Sequence, residues 1–241
     1  MICITSFHKD HWNVYANKFI ESWTRCWPED STLYVYHQDC PVDHARIINI
    51  DLDKQENFLL FKNKTESLIN LEQNKKTKNK YLKGLRWSHK VYAICDLILK
   101  TDEPVIWLDA DTQTHKPIQK DIDKLLLAGY DLAVHVEIQN RMTHWETGLF
   151  VIAGTSEQRQ QLVDNMLSIY DSGEVWNKPK TWDGHIWPEC CTHMMCNDLN
   201  KDVKGRGYFQ SKHVKGILTH AAGDKKFTKN NINKRSGRFN F

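Results

Sequence analysis

The 241-residue sequence lacks the features that mark several special classes of protein. No apolar run approaches the roughly 18–20 residues that cross a bilayer, so we expect no membrane insertion. Residues 1–7 have neither a basic start nor a long apolar stretch, and we do not expect a signal peptide. The seven cysteines include no CxxC pair, which favours a reducing compartment, the cytoplasm.

Glycine is absent from the region that follows the first predicted strand. Residues 6–13, SFHKDHWN, contain none, which disfavours a nucleotidyltransferase with a glycine-rich phosphate loop. Internal repeats are also absent. Apolar residues make up 40% and charged residues 26%, as in an ordinary soluble globular protein. The length suits one α/β domain, and nothing in the sequence indicates an oligomeric state.

The net charge is only +3, but the basic residues are concentrated in two clusters. One lies between Lys75 and Lys83, and the other between Lys225 and Arg238. Such clusters are either solvated stretches or surfaces that contact the phosphates of a nucleotide or a nucleic acid. The sequence leaves both interpretations open.

Hydrophobic periodicity predicts strands that alternate with helices, and hence an α/β fold with a largely parallel sheet. Residues 62–80 are polar and lysine-rich, and we interpret them as an excursion or a lid. Strands are predicted at residues 2–6, 33–36, 46–50, 105–108, 131–136 and 149–153, and helices at 12–23, 87–98, 118–127 and 156–170.

The most informative segment is WLDADT, residues 107–112, where an apolar strand runs directly into an Asp-x-Asp motif. Alternate residues leaving a strand point the same way, so Asp109 and Asp111 can face one point. Mn²⁺ and Mg²⁺ prefer oxygen ligands and keep positions open for substrate phosphates. Ligands of open α/β sheets bind beyond the carboxyl ends of the strands. The segment therefore predicts a Mn²⁺ or Mg²⁺ site that receives a diphosphate, although most isolated Asp-x-Asp triplets are solvated surface acids.

Several motifs occur in a fixed order along most of the chain. They are an ITSF start with an aromatic helix up to Trp27, RWSHKV at 86–91, VIWLDADTQTHKP at 105–117, WETGL at 145–149, TWDGH at 181–185, and GILTH at 216–220 with the residues up to Lys225. The Asp-x-Asp strand resembles that of GT-A glycosyltransferases. The ordered set resembles small glycosyltransferases encoded by bacteriophages.

This resemblance implies a GT-A fold, a Rossmann-like, mixed but mostly parallel sheet with flanking helices, in one domain over residues 1–241. Residues 1–112 are expected to bind a nucleotide diphosphate sugar. Residues 113–241 are expected to bind the acceptor and to complete the metal and phosphate site. The phage enzymes further imply a hydroxymethylated pyrimidine in phage DNA as acceptor, and hence the host cytoplasm.

Three cationic or metal-ligating roles follow from the resemblance. Arg86 and Lys90, four residues apart on one helical face, are expected to contact the donor's pyrophosphate or sugar, with a solvated helix face as the alternative. His220 resembles the histidine that completes the metal shell in glycogenin-like retaining enzymes. Lys225 resembles the lysine that reaches the pyrophosphate. A lone histidine in a strand is more often structural, and only His220 and Lys225 favour retention over inversion.

Two carboxylates are candidate catalytic residues. Glu146, placed before a predicted strand, is expected to bind sugar or acceptor hydroxyls. Asp183 has the same expected role, or that of a base in an inverting enzyme. Trp182 and Trp187 offer flat faces for a sugar or a base, with core packing as the alternative.

The sequence departs from the family's pattern in two of its motifs. Glu-Thr-Gly at 146–148 stands where Glu-Cys-Gly is expected, and Asp-Gly-His at 183–185 stands where His-Asp-Ser is expected. The second departure leaves open which residue of that turn reaches the sugar.

Three alternatives stay open on sequence grounds. The acceptor can be a saccharide or a surface glycan instead of DNA. The chain can be a non-catalytic module that binds nucleic acid or carbohydrate, although such a module needs neither a strand-end Asp-x-Asp nor a distal histidine. Cys190, Cys191, His193 and Cys196 do not match the usual spacing of zinc ligands, and buried thiols on a helix are the simpler interpretation.

Overall fold

Strands and helices alternate along the chain. The structure is a computed structural model, and it describes residues 1–139, 142–201, 209 and 211–220. The strands are β1 (Ile2–His8), β2 (Thr32–Gln38), β3 (Ile47–Asp51), β4 (Val105–Leu108), β5 (Thr112–Thr114), β6 (Leu132–Gln139), β7 (Met142–Ile152), β8 (Cys196–Asp198) and β9 (Leu218–His220). The helices are α1 (Asn17–Cys26), α2 (Glu56–Leu71), α3 (Lys75–Ile98), α4 (Ile122–Leu127), α5 (Ser156–Asp171) and α6 (Asp183–Cys190).

Seven strands form one mixed sheet in the order β3-β2-β1-β4-β7-β6-β8. The first four in this order run parallel to one another, whereas β7 lies antiparallel between β4 and β6. The strands β5 and β9 form a separate antiparallel pair. The predicted fold class, an α/β fold with a mixed, mostly parallel sheet and flanking helices, is confirmed.

Both faces of the sheet are covered by helices, and β4 shows why its sequence is continuously apolar. Its alternate residues Val105 and Trp107 pack on one face, and Ile106 and Leu108 pack on the other. The first face is covered by α2, α3, α5 and α6, and the second by α1 and α4. No helix in the described part of the chain has the length and apolarity to cross a bilayer.

Residues 62–80, interpreted from the sequence as an excursion or a lid, are almost entirely helical and belong to α2 and α3. In α2 the buried residues are Phe58, Phe61, Thr65 and Ile69, spaced three to four apart, whereas Leu71 is 80% exposed. The apolar face therefore begins before residue 62 and is completed by a threonine. Asn74 accepts hydrogen bonds from the amides of residues 76 and 77, and so caps the lysine-rich start of α3.

Other predicted elements are present with different boundaries. The strand expected at 149–153 is the end of β7, so Glu146 lies inside a strand and not before one. The helix expected from residue 118 begins at Ile122. Trp187 and Cys190 are buried in the core, and all seven cysteines are free. Trp187 therefore packs in the core, which was the alternative to its offering a face for a sugar or a base.

A substitution in α3 tests how tightly this helix packs. A Cβ on Gly84 would lie 2.3 Å and 2.6 Å from two ring atoms of Trp176, whose ring stacks on Phe61 and meets Tyr81 edge-on. Alanine gains about 1 kcal/mol of helix propensity, but overpacking costs about 1–3 kcal/mol. We expect Gly84→Ala to lower the free energy of unfolding in urea by about 1–2 kcal/mol, whereas Glu66→Ala on the exposed face of α2 should change it by less than about 0.5 kcal/mol. Equal stability of the two variants would show that the Trp176 ring moves freely.

Candidate active site

Three predicted metal ligands meet at the end of β4. The antiparallel pairing of β5 with β9 places Thr112 opposite His220, which brings the histidine beside the Asp-x-Asp motif. Its Nε2 atom lies 2.9 Å from Asp111 Oδ1 and 3.3 Å from Asp109 Oδ2. His220 lies 109 positions after Asp111 in the sequence, so only the sheet pairing produces this contact.

This trio has the donor chemistry of a divalent cation site. One ligand atom from each of Asp109, Asp111 and His220 lies within 4.8 Å of the others, and no other described group of acidic, histidine or cysteine side chains has this arrangement. Two carboxylates and one imidazole suit Mn²⁺ or Mg²⁺ with positions left for substrate oxygens. Asp109 is 24% exposed, so the trio can be reached from solvent. The residues therefore fit a metal ion; that they bind one stays a prediction.

Lys90 connects the two acidic parts of the site. Its Nζ atom lies 2.8 Å from Asp109 Oδ1 and 3.1 Å from Asp183 Oδ2, and it donates to the carbonyl and hydroxyl oxygens of Thr147 at 2.9 and 3.0 Å. Burial alone would lower the pKa of Lys90, but the carboxylates of Asp109 and Asp183 raise it above its ordinary value. Lys90 is therefore a buried cation held by two acids of the site.

Glu146, Thr147 and Gly148 reach the site through an irregularity in β7. The register against β6 shifts from Val134 opposite Phe150 to His135 opposite Glu146, so three residues of β7 bulge out of this pairing. The Gly148 carbonyl then accepts from the Asp109 amide at 2.9 Å. A Cβ on Gly148 would lie 3.0 Å from Glu146 Oε1 and from His220 Cε1, so a side chain here would crowd both.

The bulge also gives an account of one departure from the family's pattern. The Thr147 hydroxyl donates to Asp183 Oδ2 at 2.9 Å and accepts from Lys90. A thiol donates only weakly, so threonine makes a firmer connection here than the expected cysteine would. The sequence did not predict a role for Thr147. Its position between Glu146 and Gly148 was the only feature that could have indicated one.

Two carboxylate oxygens of the site have unused hydrogen-bonding capacity. Asp183 Oδ1 and Glu146 Oε2 are both buried, and neither accepts a hydrogen bond from the described residues. Buried polar atoms are nearly always satisfied in proteins, by ligand or water where protein groups do not suffice. Asp183 is completely buried at the start of α6, and its other oxygen is fixed by Lys90 and Thr147. Both oxygens are therefore available for a hydrogen bond with a bound polar group.

The charged groups of the site shift one another's pKa values. Burial raises the pKa of Glu146 to about 8, with a further rise from Asp109, so Glu146 is largely protonated at pH 7. Burial would lower the pKa of His220, but Asp111, Asp109 and Glu146 raise it to about 10. Burial likewise opposes ionisation of Asp109, but Lys90 and His220 hold its pKa well below the usual range. In the metal-free chain a protonated His220 neutralises part of the acidic pair.

An aromatic surface that sequence reasoning missed lies next to the two acids. Trp12–Ala16 forms a π-helical turn after β1, and the His11 and Tyr15 rings stack with centroids 5.0 Å apart. Burial raises the pKa of Tyr15, and the charges of Asp111 and Asp109 raise it further. The sequence could have predicted a ligand-binding role for this pair, because both residues follow the carboxyl end of a parallel strand.

The other predicted site residues are Arg86, Lys225 and Trp182, and they lie in different surroundings. Arg86 is exposed and forms no ion pair with the described residues, and its charge lowers the pKa of Tyr15. Lys225 lies outside the described residues, as does the basic cluster that runs to Arg238. Trp182 is half-buried beside Asp183 and packs against His144 and His185.

Comparison with known proteins gives similar structures but no family. No protein-family model matches the sequence, and no curated protein matches it. The chain is similar to mouse xyloside xylosyltransferase 1 (TM-score 0.49, 11% identity, 83% of this chain and 85% of that one). It is also similar to the glycosyltransferase GlyE of Streptococcus pneumoniae (0.47, 15%, 82% and 44%) and to the galactosyltransferase LgtC (0.39, 11%, 71% and 66%). At these low identities and TM-scores, function has to be argued from the site itself.

The pKa of His220 gives a pH-dependent stability that can be measured. It is about 10 in the folded chain and about 6.5 in the unfolded one, so protonated His220 stabilises the fold fully below pH 6.5. This stabilisation is lost as the pH rises through 10. With a chelator present, we expect wild type to lose several kcal/mol more free energy of unfolding between pH 6.5 and pH 10 than His220→Gln does. The exposed His44→Gln should follow wild type; a His220→Gln curve parallel to wild type would contradict the assignment.

Proposed function

We propose that this protein is a metal-dependent glycosyltransferase that moves a sugar from a nucleotide diphosphate sugar to a hydroxyl group. The observation that carries the proposal is the juxtaposition of two different sets of groups. Asp109, Asp111 and His220 offer a divalent cation site at the end of β4. Next to it, Asp183 and Glu146 offer buried oxygens without hydrogen-bond partners among the described residues. A diphosphate and a set of hydroxyls are the two chemical parts of a nucleotide sugar.

The side chains of the site divide the work. A bound Mn²⁺ or Mg²⁺ would supply positive charge to the departing diphosphate. Lys90 fixes the Asp109 and Asp183 carboxylates, so both keep their orientation without moving when substrate arrives. Asp183 Oδ1 accepts a hydrogen bond from one substrate hydroxyl, and Glu146 Oε2 forms a hydrogen bond with a second. Fixed groups of this kind stabilise developing charge with little reorganisation.

The donor's nucleotide fits the surface beyond β1. The stacked rings of His11 and Tyr15 offer a flat face for the base, and Arg86 supplies a charge near the phosphates. Residues 1–112 would thus bind the donor, and residues 113–241 the acceptor, with Lys225 reaching the pyrophosphate. Retention of the anomeric configuration is part of the proposal, because His220 lies at the metal cluster.

The proposed acceptor is a hydroxymethylated pyrimidine in phage DNA, in the host cytoplasm. Two observations support it besides the resemblance of the motifs. The exposed lysines at the start of α3 carry the charge that a phosphate backbone requires. Trp182, next to Asp183, is a half-buried aromatic side chain on which an extruded base can stack.

The metal ligands give the first test of this function. We expect wild type to release nucleoside diphosphate from one member of a panel of nucleotide sugars only with Mn²⁺ or Mg²⁺ present. Asp111→Asn keeps the shape but removes an anionic ligand, and should lower kcat/KM at least about hundred-fold. The exposed Asp43→Asn is the matched control and should keep the wild-type rate. Full turnover by chelator-treated enzyme, or by Asp111→Asn, would exclude the proposed metal role.

The acceptor is tested separately with a panel of hydroxyl compounds. We expect sugar transfer to oligonucleotides that contain hydroxymethylcytosine or hydroxymethyluracil, and none to the same oligonucleotides with unmodified bases. Mono- and oligosaccharides are tested alongside, with mass spectrometry of the products. Transfer to saccharides alone would exclude the DNA acceptor and leave the glycosyltransferase function standing.

A further inference from the structure

A basic groove runs from the start of α3 to the edge of the active site. It has a volume of about 970 Å³ and lies between α3 and the segment 179–182 that leads into α6. Its lining comprises Lys75, Lys76, Thr77, Asn79, Lys80, Lys83, Trp87, Pro179, Lys180, Thr181 and Trp182. Five of these eleven are lysines, and no aspartate or glutamate of the described residues lines the groove. We call this feature the lysine groove.

Four lysines of the lysine groove carry charge that no carboxylate of the described residues neutralises. Lys75, Lys76, Lys83 and Lys180 are exposed, and none forms an ion pair with a described carboxylate. By contrast Lys178, just outside the groove, pairs with Glu174 at 3.1 Å and Glu189 at 2.7 Å. Four uncompensated positive charges that face one groove create a strong positive potential. A ligand with several negative charges would be attracted there.

Hydrogen bonds hold the backbone of both groove walls in place, so the lysines extend from fixed positions. Lys80 donates to the carbonyls of Trp176 and Lys178 at 2.7 and 2.9 Å, and thereby ties α3 to the opposite wall. Asn74 caps the first turn of α3. The lining is therefore attached to the folded core at both walls and does not depend on a ligand for its shape.

The inner end of the groove is formed by residues that neighbour the site along the chain. Lys76, Lys80, Lys83, Trp87 and Lys90 are spaced four, three, four and three residues apart, so they follow one face of α3. At the inner end, Trp87 lies one turn before Lys90, and Trp182 immediately precedes Asp183. From Lys75 to Trp87 the helix rises about 18 Å, which corresponds to roughly five stacked nucleotides at about 3.4 Å each.

The two tryptophans indicate what kind of polyanion fits. Trp87 and Trp182 are half-buried and line the inner end of the groove, where their indole rings are available for stacking. Lysines along a backbone together with aromatic rings are the combination that binds single-stranded nucleic acids, because only unpaired bases expose their faces. We propose that the lysine groove binds a single-stranded polynucleotide segment of about five nucleotides and guides it to the active site. The role of the groove in delivering an acceptor strand rests on the proposed glycosyltransferase function.

The test measures binding without donor and without metal ion, so that it does not require transfer. Fluorescence anisotropy of the full chain is recorded with a labelled oligothymidylate, with a duplex of the same length, and with a heparin oligosaccharide of similar charge. We expect the single strand to bind at least ten-fold more tightly than the other two. Preference for the duplex, or for heparin, would overturn the proposal.

Two double variants assign the binding to the groove. Lys76→Glu with Lys83→Glu should weaken single-strand binding at least ten-fold and should reduce the slope of log K against log salt by about 1.4, about 0.7 for each lysine. Lys18→Glu with Lys124→Glu changes the charge equally on the helices α1 and α4, on the other face of the sheet, and should bind almost as wild type does. Equal losses in the two variants would overturn the proposal. Trp87→Ala should weaken single-strand binding about ten-fold and leave the salt slope unchanged.

The outcomes separate this inference from the proposed function. Single-strand binding that depends on the groove, with no sugar transfer from any donor, would refute the glycosyltransferase and leave the lysine groove established. Transfer to modified DNA with normal binding by the Lys76→Glu, Lys83→Glu variant would refute the groove and leave the enzyme. Transfer to saccharides with no oligonucleotide binding refutes the groove as well.

Discussion

The buried ammonium group of Lys90 is the interaction on which the rest of the site depends. Several ionisable side chains are withdrawn from water in one place, and an unpaired buried charge is costly. Lys90 neutralises two of the acids at once and also donates to Thr147. These contacts join the end of β4, the bulge of β7 and the start of α6. A hydrophobic residue at position 90 would remove the cation that Asp183 pairs with and would leave Asp109 with His220 alone.

The remaining charge of the cluster determines what the site can bind. Asp109 and Asp183 share Lys90, Asp111 and Asp109 share His220, and Glu146 is largely neutral at pH 7 because burial raises its pKa to about 8. His220 holds its proton only because the acids are close. A divalent cation bound by the trio would supply the positive charge that this proton supplies in the metal-free chain.

The helix α3 connects the lysine groove with the candidate active site. Its first half carries the lysine groove, and its second half is buried and carries Lys90. Because an α-helix is stiff, residues that share one face keep a fixed distance from each other over several turns. A polyanion bound along the first half is therefore positioned relative to the acids of the site. The β7 bulge does the same for Glu146 and Thr147 from the other side of the site.

Sequence patterns predicted most strands of the main sheet, several helices and the Asp-x-Asp part of the site. The continuous apolar run of β4 followed by Asp-x-Asp required both carboxylates to leave one strand together, since side chains alternate along a strand. These patterns did not predict α2. Its buried face includes the polar Thr65, and leucines on its exposed side hide the apolar periodicity. Only the tertiary structure decided that Lys90 contacts Asp109 and Asp183, that Thr147 joins them, and that His220 reaches Asp111. These contacts depend on strand order, on the pairing of β5 with β9 and on a register shift in β7, which are set by long-range packing and leave no periodic pattern in the sequence.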